Sequence, residues 1–391
     1  MMIPGKGVVD LANWREPPYN RRAFSRVREL IPTANIEADR LAAKPLERAP
    51  ADLMANRFAR RDGASITLSE FLDQPFTDGF MVLRRGRVVS EWWRDEETRR
   101  QPHIVFSISK SITAILTGIL AERGLVDPEA PVVRYIPEAK DSTFGDATVR
   151  HLLDMTVSID FAETYLDPES VFALYRQATG WNPPRLGFDH CLHAFLLTLK
   201  KAARAHGERF HYVSPNSDIL GWIVERAGGA PLAELLSEHL WKPMGAGFDA
   251  YITVDPRGAA RSAGGICMML EDLARFGEMI RNGGIASGRQ VVPQSWIADI
   301  RTNGDREAWR KGDMLALLPD GNYRSNWYDA GGASGAFMGA GIHGQWLYID
   351  PKAELVIAKL SSQPLPVDQP MDLMHLDMFD AIARSIGCIG A

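Results

Sequence analysis

Short apolar runs, typical of β-strands, occur in two separated blocks of the chain. In the first block, runs at 80–83 and 88–93 flank Arg84-Arg85-Gly86-Arg87, which predicts a β-hairpin. In the second, runs at 345–349 and 355–360 flank Asp350-Pro351-Lys352, a turn signal between two strands. Residues 371–386 then space their apolar positions as one face of a helix does, and we expect a terminal amphipathic helix.

Helical spacing dominates between these blocks. Apolar residues recur along one face of residues 107–123, and Gly124 stands where that helix should end. Thr148 is a candidate N-cap, and residues 218–227 and 231–240 predict two further helices joined by Gly228-Gly229. The first 75 residues are interpreted as an irregular, proline-punctuated arm with one short helix near 34–43.

Strands at both ends with helices between them predict an α+β fold, in which an antiparallel sheet is flanked by helices and completed by the C-terminal segment. We expect residues 1–106 and 258–391 to form an α/β domain around this sheet. Residues 107–257 would form an inserted, mostly helical domain.

Composition narrows the class of protein. The chain has 391 residues, of which 46% are hydrophobic and 24% charged, as in soluble globular proteins. A net charge of -5 argues against a nucleic-acid partner, and no apolar stretch is long enough to span a membrane. Cys191, Cys267 and Cys388 form no CxxC pair, and the start of the sequence lacks a signal-peptide core. We therefore expect reduced thiols and a cytoplasmic location, with a homodimer as a possible assembly.

Ser107-Ile108-Ser109-Lys110, at the head of a predicted helix, is the strongest candidate for chemistry. Residues three apart share a helix face, so the Ser107 hydroxyl and the Lys110 amine can meet. A helix N-terminus also favours a developing negative charge. The plain alternative is a serine that caps the helix and a lysine that lies in solvent.

A second element follows about a hundred residues later, where Tyr212-Val213-Ser214 precedes an apolar helix. SxxK followed by this Tyr-x-Ser resembles the serine hydrolases related to class C β-lactamases and penicillin-recognising peptidases. Residues 149–156 and 262–277 also resemble segments of that family, and the similarity covers roughly residues 75–365. The resemblance implies a β-lactamase/transpeptidase-like fold and an acyl-enzyme formed on Ser107.

The family's third motif, Lys-Thr-Gly on the strand beside the nucleophile, is best matched by Gly339-Ala340-Gly341. This match lacks the lysine, which in the family helps to hold the carboxylate of a β-lactam, so β-lactamase activity is less expected. The resemblance implies that the backbone N–H groups of Ser107 and Ile342 form the oxyanion hole. The family's esterases and its 6-aminohexanoate-dimer (nylon oligomer) hydrolases also lack a true Lys-Thr-Gly.

The resemblance is closest to those 6-aminohexanoate-dimer hydrolases. It implies a substrate-contacting role for Tyr165 and a place near the pocket for Trp181 and Gly341, whereas His343 is either a pocket residue or a structural one. Those enzymes carry an acidic residue just before the Gly-Trp pair, to hold a substrate amine. The corresponding stretch here contains Arg176, of opposite sign, which leaves the preference for an amine-bearing dimer open.

The serine needs a base, and Lys110 and Tyr212 are the candidates because no Ser-His-Asp order is evident. Burial would lower the pKa of the lysine, and a nearby ammonium would lower that of the tyrosine. The sequence does not assign the proton within such a coupled pair. We expect the pair to activate Ser107, Tyr212 to protonate the leaving group, and Ser214 to orient the pair or the substrate.

Two other motifs suggest cofactors and are rejected. Residues 339–344 match GxGxxG, but a strand rather than a helix is predicted next, so we expect no dinucleotide. Asp189-His190-Cys191-Leu192-His193 lacks a partner pair at zinc-site spacing, so we expect no metal. The predicted function is hydrolysis of small amides or esters without a cofactor. The alternatives are a carboxylesterase or D-aminoacyl peptidase of the same family and a catalytically silent binding protein of this fold.

Overall fold

The structure is a computed structural model that describes residues 2–3, 7–60 and 63–388. The strands are β1 Met2–Ile3, β2 Gly7–Val8, β3 Thr33–Ile36, β4 Arg57–Ala59, β5 Ser65–Thr67, β6 Thr77–Arg84, β7 Arg87–Trp93, β8 His103–Ile104, β9 Ala250–Thr253, β10 Ile266–Met268, β11 Ile285–Ala286, β12 Arg289–Gln290, β13 Asn322–Arg324, β14 Trp327–Asp329, β15 Phe337–Gly341, β16 Gln345–Asp350 and β17 Leu355–Ser361. The α-helices are α1 Asn20–Phe24, α2 Leu68–Leu72, α3 Glu96–Arg99, α4 Ile108–Glu122, α5 Val149–Leu153, α6 Val171–Ala178, α7 Leu192–Thr198, α8 Ser214–Gly228, α9 Leu232–Leu236, α10 Lys242–Met244, α11 Leu270–Arg281, α12 Gln294–Thr302, α13 Arg306–Arg310 and α14 Gln369–Cys388. Short 3₁₀ turns occur at Val27–Glu29, Val132–Arg134 and Pro137–Asp141, and a π-helical turn at Ser237–Trp241.

The main sheet is antiparallel and, within the described ranges, has seven strands in the order β13-β14-β15-β16-β17-β6-β7. Strand β6 from the N-terminal half pairs with β17 near the C-terminus, so the two apolar blocks of the sequence meet in one sheet. Both faces of β6 are buried: Met81 and Leu83 pack into one apolar cluster, and Phe80 and Val82 into another. Helix α11 covers the first face and α14 the second. The predicted α+β fold is confirmed.

The predicted hairpin of the first block, the helices predicted at 107–123 and after Thr148, and the terminal helix are also confirmed. Arg85 and Gly86, between β6 and β7, have φ values of 51° and 77°, the left-handed pair that suits a tight hairpin. Gly124 follows α4 with φ 71°, and Thr148 caps α5 by accepting from the His151 N–H at 3.3 Å. Helix α14 spans Gln369–Cys388, slightly longer than predicted.

The interpretation of the first 75 residues is wrong in two respects. The expected helix near 34–43 is absent among the described residues, because Thr33–Ile36 is instead a strand that pairs with β9. The segment is also no loose arm, since Trp14 and Phe24 are fully buried beside Phe106. Its elements are short, and their hydrophobic residues are fixed by contacts with distant parts of the chain, so local periodicity could not show them.

A second antiparallel sheet has the strand order β3-β9-β10-β8, and its strand β8 leads directly into the start of α4. Strand β8 ends at Ile104, and the Val105 N–H still donates to the Ile266 carbonyl at 2.9 Å before the helix begins at Ile108. Helix α4 is buried along most of its length, between the main sheet and α8. The sequence between β8 and α4 is therefore held rigidly at both ends. Within the described residues, no helix combines the length and the apolar character that crossing a membrane requires.

Candidate active site

Ser107 is the residue before α4, and its side chain faces Lys110 rather than the helix backbone. Lys110 Nζ donates to Ser107 Oγ at 2.8 Å and to the Ala263 carbonyl at 2.7 Å. The Ser107 hydroxyl makes no capping bond, and Lys110 is only 1% exposed. The alternative of a capping serine with a lysine in solvent is therefore wrong.

The backbone around Ser107 is tightly constrained. Phe106 adopts a φ of 43°, which is unusual for a bulky residue and costs free energy that the surrounding packing must offset. Strand β15 passes so close that a Cβ on Gly341 would lie 2.6 Å from the Val105 carbonyl oxygen. Only glycine fits there, and Ile342, which follows directly, lines the same two cavities as Ser107.

Burial lowers the pKa of Lys110 to about 7. The charges of Glu163 and Asp218 raise the pKa, whereas the nearby guanidinium of Arg261 lowers it further, and burial is the largest of these effects. Near neutral pH a large fraction of Lys110 is thus an uncharged amine, which can accept a proton.

Tyr212 lies beside the same lysine, with its ring centroid 5.0 Å from Lys110 Nζ. Its pKa is raised, by burial first and by the Glu163 charge second, although hydrogen bonds with the hydroxyls of Ser107 and Tyr328 act the other way. The net shift is opposite to the lowering expected from a nearby ammonium, because burial outweighs the effect of the nearby cation Arg261. Tyr212 holds its proton at neutral pH, so in this pair the lysine is the group that can be neutral and basic.

Glu163 was missed by the sequence reasoning, yet it is the carboxylate that joins several site residues. Its Oε1 accepts from the Ser214 N–H at 2.5 Å, and its Oε2 accepts from the Tyr165 hydroxyl. Burial and this carboxylate hold the pKa of Tyr165 well above its usual value. Glu163 stands two residues before Tyr165, in a segment with no regular pattern, so no local signal marked it.

A buried ion pair helps to fix the backbone group that Lys110 binds. Asp218 and Arg261 pair directly, and the Tyr175 hydroxyl donates to Asp218 at 2.5 Å. Asp218 also accepts from the Ala263 N–H at 2.8 Å, and the carbonyl of Ala263 is the group that binds Lys110. The network thereby fixes the lysine's backbone acceptor.

Two cavities meet at Ser107. The first, of about 670 Å³, is lined by Trp181, Ser214 and His343 among others. The second, of about 550 Å³, is lined by Tyr212, Gly341 and Trp346 among others. Ser107, Tyr165, Ile342 and Pro366 line both. A substrate whose scissile bond lies at Ser107 could therefore extend in two directions.

The remaining predicted site residues lie at this junction in distinct ways. The Trp181 indole donates to Thr253 Oγ1 at 3.1 Å, so its ring is held as a fixed wall. His343 Nδ1 contacts the Gln363 carbonyl at 2.7 Å, and burial lowers its pKa to about 4, so the ring is neutral. His343 therefore both lines the pocket and braces the loop after β15.

The residues of the rejected metal motif have other partners. Asp189 pairs with Arg257, the Cys191 sulfur caps α7, and His193 stacks on Trp222 at 3.9 Å. Among the residues that the structure describes, no group of three or more histidine, cysteine or acidic side chains could hold a metal ion. Residues 339–344 run from β15 into β16, a strand, as predicted.

Comparison with known proteins identifies the family. The model of the beta-lactamase family matches residues 54–377, which is most of the chain. The chain belongs to the beta-lactamase family. It is 38% identical to a 6-aminohexanoate-dimer hydrolase of Paenarthrobacter ureafaciens over 92% of this chain and 90% of that protein. The resemblance inferred from the motifs is thus confirmed, and the chain is a serine hydrolase of this family.

Solved structures of the family agree on the fold. A Bacillus anthracis protein described as a candidate 6-aminohexanoate-dimer hydrolase superposes with a TM-score of 0.89 at 29% identity, covering 98% of this chain and 99% of that one. A family VIII carboxylesterase superposes with a TM-score of 0.58 at 18% identity, covering 80% and 95%. The second similarity shows the shared β-lactamase-like fold alone.

Proposed function

We propose that this chain hydrolyses linear aliphatic amides and esters through an acyl-enzyme on Ser107. The observation that carries the proposal is the 2.8 Å contact between Ser107 Oγ and a buried lysine whose pKa lies at about 7, at the point where two cavities meet. The name of the Paenarthrobacter relative supports linear amides of the 6-aminohexanoate type as the substrate class. A carboxylesterase and a D-aminoacyl peptidase are the alternatives.

In the proposed mechanism Lys110 takes the Ser107 proton as Oγ attacks the substrate carbonyl. The oxyanion that forms is held by the backbone N–H groups of Ser107 and Ile342, each worth roughly 3–4 kcal/mol of barrier. Tyr212 protonates the leaving amine or alkoxide as its bond to the carbonyl carbon breaks, and regains the proton from Lys110. Water, deprotonated by the same pair, then attacks the acyl-enzyme and releases the carboxylic acid and Ser107. Tyr165, Ser214 and Trp181 contact the substrate or position these groups, and no cofactor takes part.

A substrate panel tests the proposed class. We expect turnover of p-nitrophenyl butyrate and hexanoyl p-nitroanilide, and slower turnover of the 6-aminohexanoate dimer, whose acyl half ends in an ammonium, with Ser107→Ala as the background. Nitrocefin should be at least about 100-fold slower in kcat/KM, because Gly339 stands where a β-lactam-binding lysine is expected. Nitrocefin or D-alanyl p-nitroanilide as the fastest substrate would contradict the proposal.

Replacing Tyr212 with phenylalanine tests whether this residue is the acid that protonates the leaving group. An amine leaving group needs a proton more than a p-nitrophenolate does, so we expect Tyr212→Phe to lower kcat for anilides by about 10²–10⁴-fold and for p-nitrophenyl esters by much less. Steady-state kinetics on matched butyryl substrates gives both values. Equal losses on the two substrates would count against Tyr212 as the acid.

Location and assembly remain predictions. The cysteine content favours a cytoplasmic protein and the net charge of -5 one that acts without a nucleic-acid partner, and a homodimer is a possible assembly. In the described residues Cys191 and Cys267 are buried free thiols.

A further inference from the structure

Among the described residues, four arginines line the first cavity, Arg15, Arg176, Arg185 and Arg261, and Glu16 lines it as well. Arg185 is exposed and Arg261 is paired with Asp218, which leaves Arg15 and Arg176 as its partly buried cations without an ion pair in the part of the chain that the structure describes. Arg15 belongs to the N-terminal segment and follows the fully buried Trp14, while Arg176 lies in the last turn of α6. Ser107 and Ile342 line this same cavity, so the guanidinium groups face the space beside the nucleophile.

Neither guanidinium is neutralised by an ion pair with a carboxylate of the described residues. Arg15 donates to the Trp181 carbonyl at 2.9 Å and to Asn182 Oδ1 at 2.6 Å, both uncharged acceptors. Arg176 lies over the ring of Phe172, 5.0 Å from its centroid, and its buried Nε has no hydrogen-bond partner. Two cations without an ion-pair partner in the described chain are therefore held in the wall of this cavity, where a bound anion would offset their charge.

The electrostatics of the pair favour the binding of an anion. Burial, followed by repulsion from Arg176, lowers the pKa of Arg15 to about 9, and Glu16 only partly opposes this. Both groups stay cationic at neutral pH. Glu163, the carboxylate that acts on Arg176, is already bound by the Ser214 N–H and the Tyr165 hydroxyl.

The position of Tyr212 indicates which half of the substrate meets the arginines. Tyr212, the proposed acid for the leaving group, lines the second cavity and not the first. The leaving group should therefore occupy the second cavity, whose acidic lining residues are Glu163, Asp313 and Asp372 and which no arginine or lysine of the described residues lines. The acyl group then extends into the first cavity, toward Arg15 and Arg176.

We propose that Arg15 and Arg176 bind a carboxylate at the far end of the acyl group, so that the preferred substrates are half-amides and half-esters of short dicarboxylic acids. This inference rests on the proposed hydrolysis through Ser107. The acyl-enzyme would be a Ser107 ester of the diacid, and attack by water would release the free diacid. An acyl group ending in an ammonium would be repelled from the same site.

Matched anilides test the preference. We compare kcat/KM for glutaryl p-nitroanilide, its uncharged methyl ester and 6-aminohexanoyl p-nitroanilide. We expect the glutaryl compound to exceed the methyl ester by about 10–100-fold, as for a charge-assisted hydrogen bond gained, and the amino compound to be slowest. A methyl ester or amino compound that is turned over as well as the glutaryl one overturns the inference.

Variants identify the cause of the preference. Arg176→Gln and Arg15→Gln should each cut the ratio of glutaryl to methyl ester turnover by about tenfold, and Arg176→Glu should invert the preference toward the amino compound. Arg40→Gln, an exposed arginine paired with Asp249, is the control for net charge and should leave the ratio unchanged. An unchanged ratio in the Arg176 variants refutes the assignment.

Binding of glutarate separates this inference from the proposed reaction. We expect calorimetry on Ser107→Ala to detect binding of glutarate. Adding Arg176→Gln to that variant should weaken the affinity for glutarate by about tenfold or more. Glutarate binding without turnover of any substrate would refute the proposed hydrolysis and keep the anion site. Absence of glutarate binding would overturn the anion site, whatever the turnover.

Discussion

Ser107→Ala is expected to reduce kcat for p-nitrophenyl butyrate by about 10⁴-fold or more, the order of loss seen when a serine hydrolase loses its nucleophile. Only the hydroxyl group is removed. Lys110 Nζ then loses its partner at 2.8 Å but keeps the Ala263 carbonyl at 2.7 Å. Lys110 and Tyr212, the proposed base and acid, do not replace Ser107 as the nucleophile that forms the acyl ester. Initial rates at substrate saturation measure the effect.

The variant should fold normally, because the Ser107 hydroxyl makes no capping bond and α4 is held by its buried apolar side chains. Ser69→Ala, in α2 and outside both cavities, is the matched control and should retain full activity. A fluorophosphonate should add its mass to the wild-type chain and to the control, but not to Ser107→Ala. Labelling of Ser107→Ala at the same rate would place the nucleophile elsewhere.

The parts of the site that lie close in sequence could be predicted. Ser107 and Lys110 are three residues apart on one helix, and helix geometry alone brings them together. The glycine at 341 was found as part of a motif, and its physical reason appears only in the structure, where a Cβ would meet the Val105 carbonyl oxygen. Tyr212 needed the resemblance, because no local pattern shows that a phenol a hundred residues away faces the lysine.

The parts that depend on distant contacts could not be predicted. Arg15 reaches the cavity because Trp14 is anchored by an indole hydrogen bond to the Trp181 carbonyl at 3.0 Å, a contact between residues far apart in sequence. Asp218 stands in an apolar helix, where a lone acidic residue gives no sign of a buried arginine partner. Glu163 lies in an irregular segment. The division into domains at 107–257 stays a prediction, and strand β9 from that stretch pairs with β3 and β10.

Lys110→Met is expected to lower kcat/KM for the same ester by about 10²–10⁴-fold, the range of a general base. In the wild type only the neutral amine accepts the Ser107 proton, and the pKa of Lys110 is about 7. Wild-type kcat/KM for an uncharged ester should therefore fall tenfold per pH unit well below 7 and level off above it. Lys110→Arg, which keeps a cation that does not deprotonate, should be as inactive as Lys110→Met.

Stability should move in the opposite direction to activity in Lys110→Met. The folded-state pKa of Lys110, about 7, lies below the value of about 10.4 expected when unfolded, so folding releases this proton between those pH values. This group therefore makes the wild type more stable as pH rises from about 7 to 10.4. Methionine removes the buried charge, and we expect its free energy of unfolding at pH 7 to exceed the wild-type value by about 1–4 kcal/mol. Denaturant titrations at pH 7 and pH 10 test this, since the difference in free energy of unfolding between the two proteins should shrink at the higher pH.

A methionine variant that is active, or a wild-type pH profile of kcat/KM that is flat through pH 7, would remove Lys110 as the base.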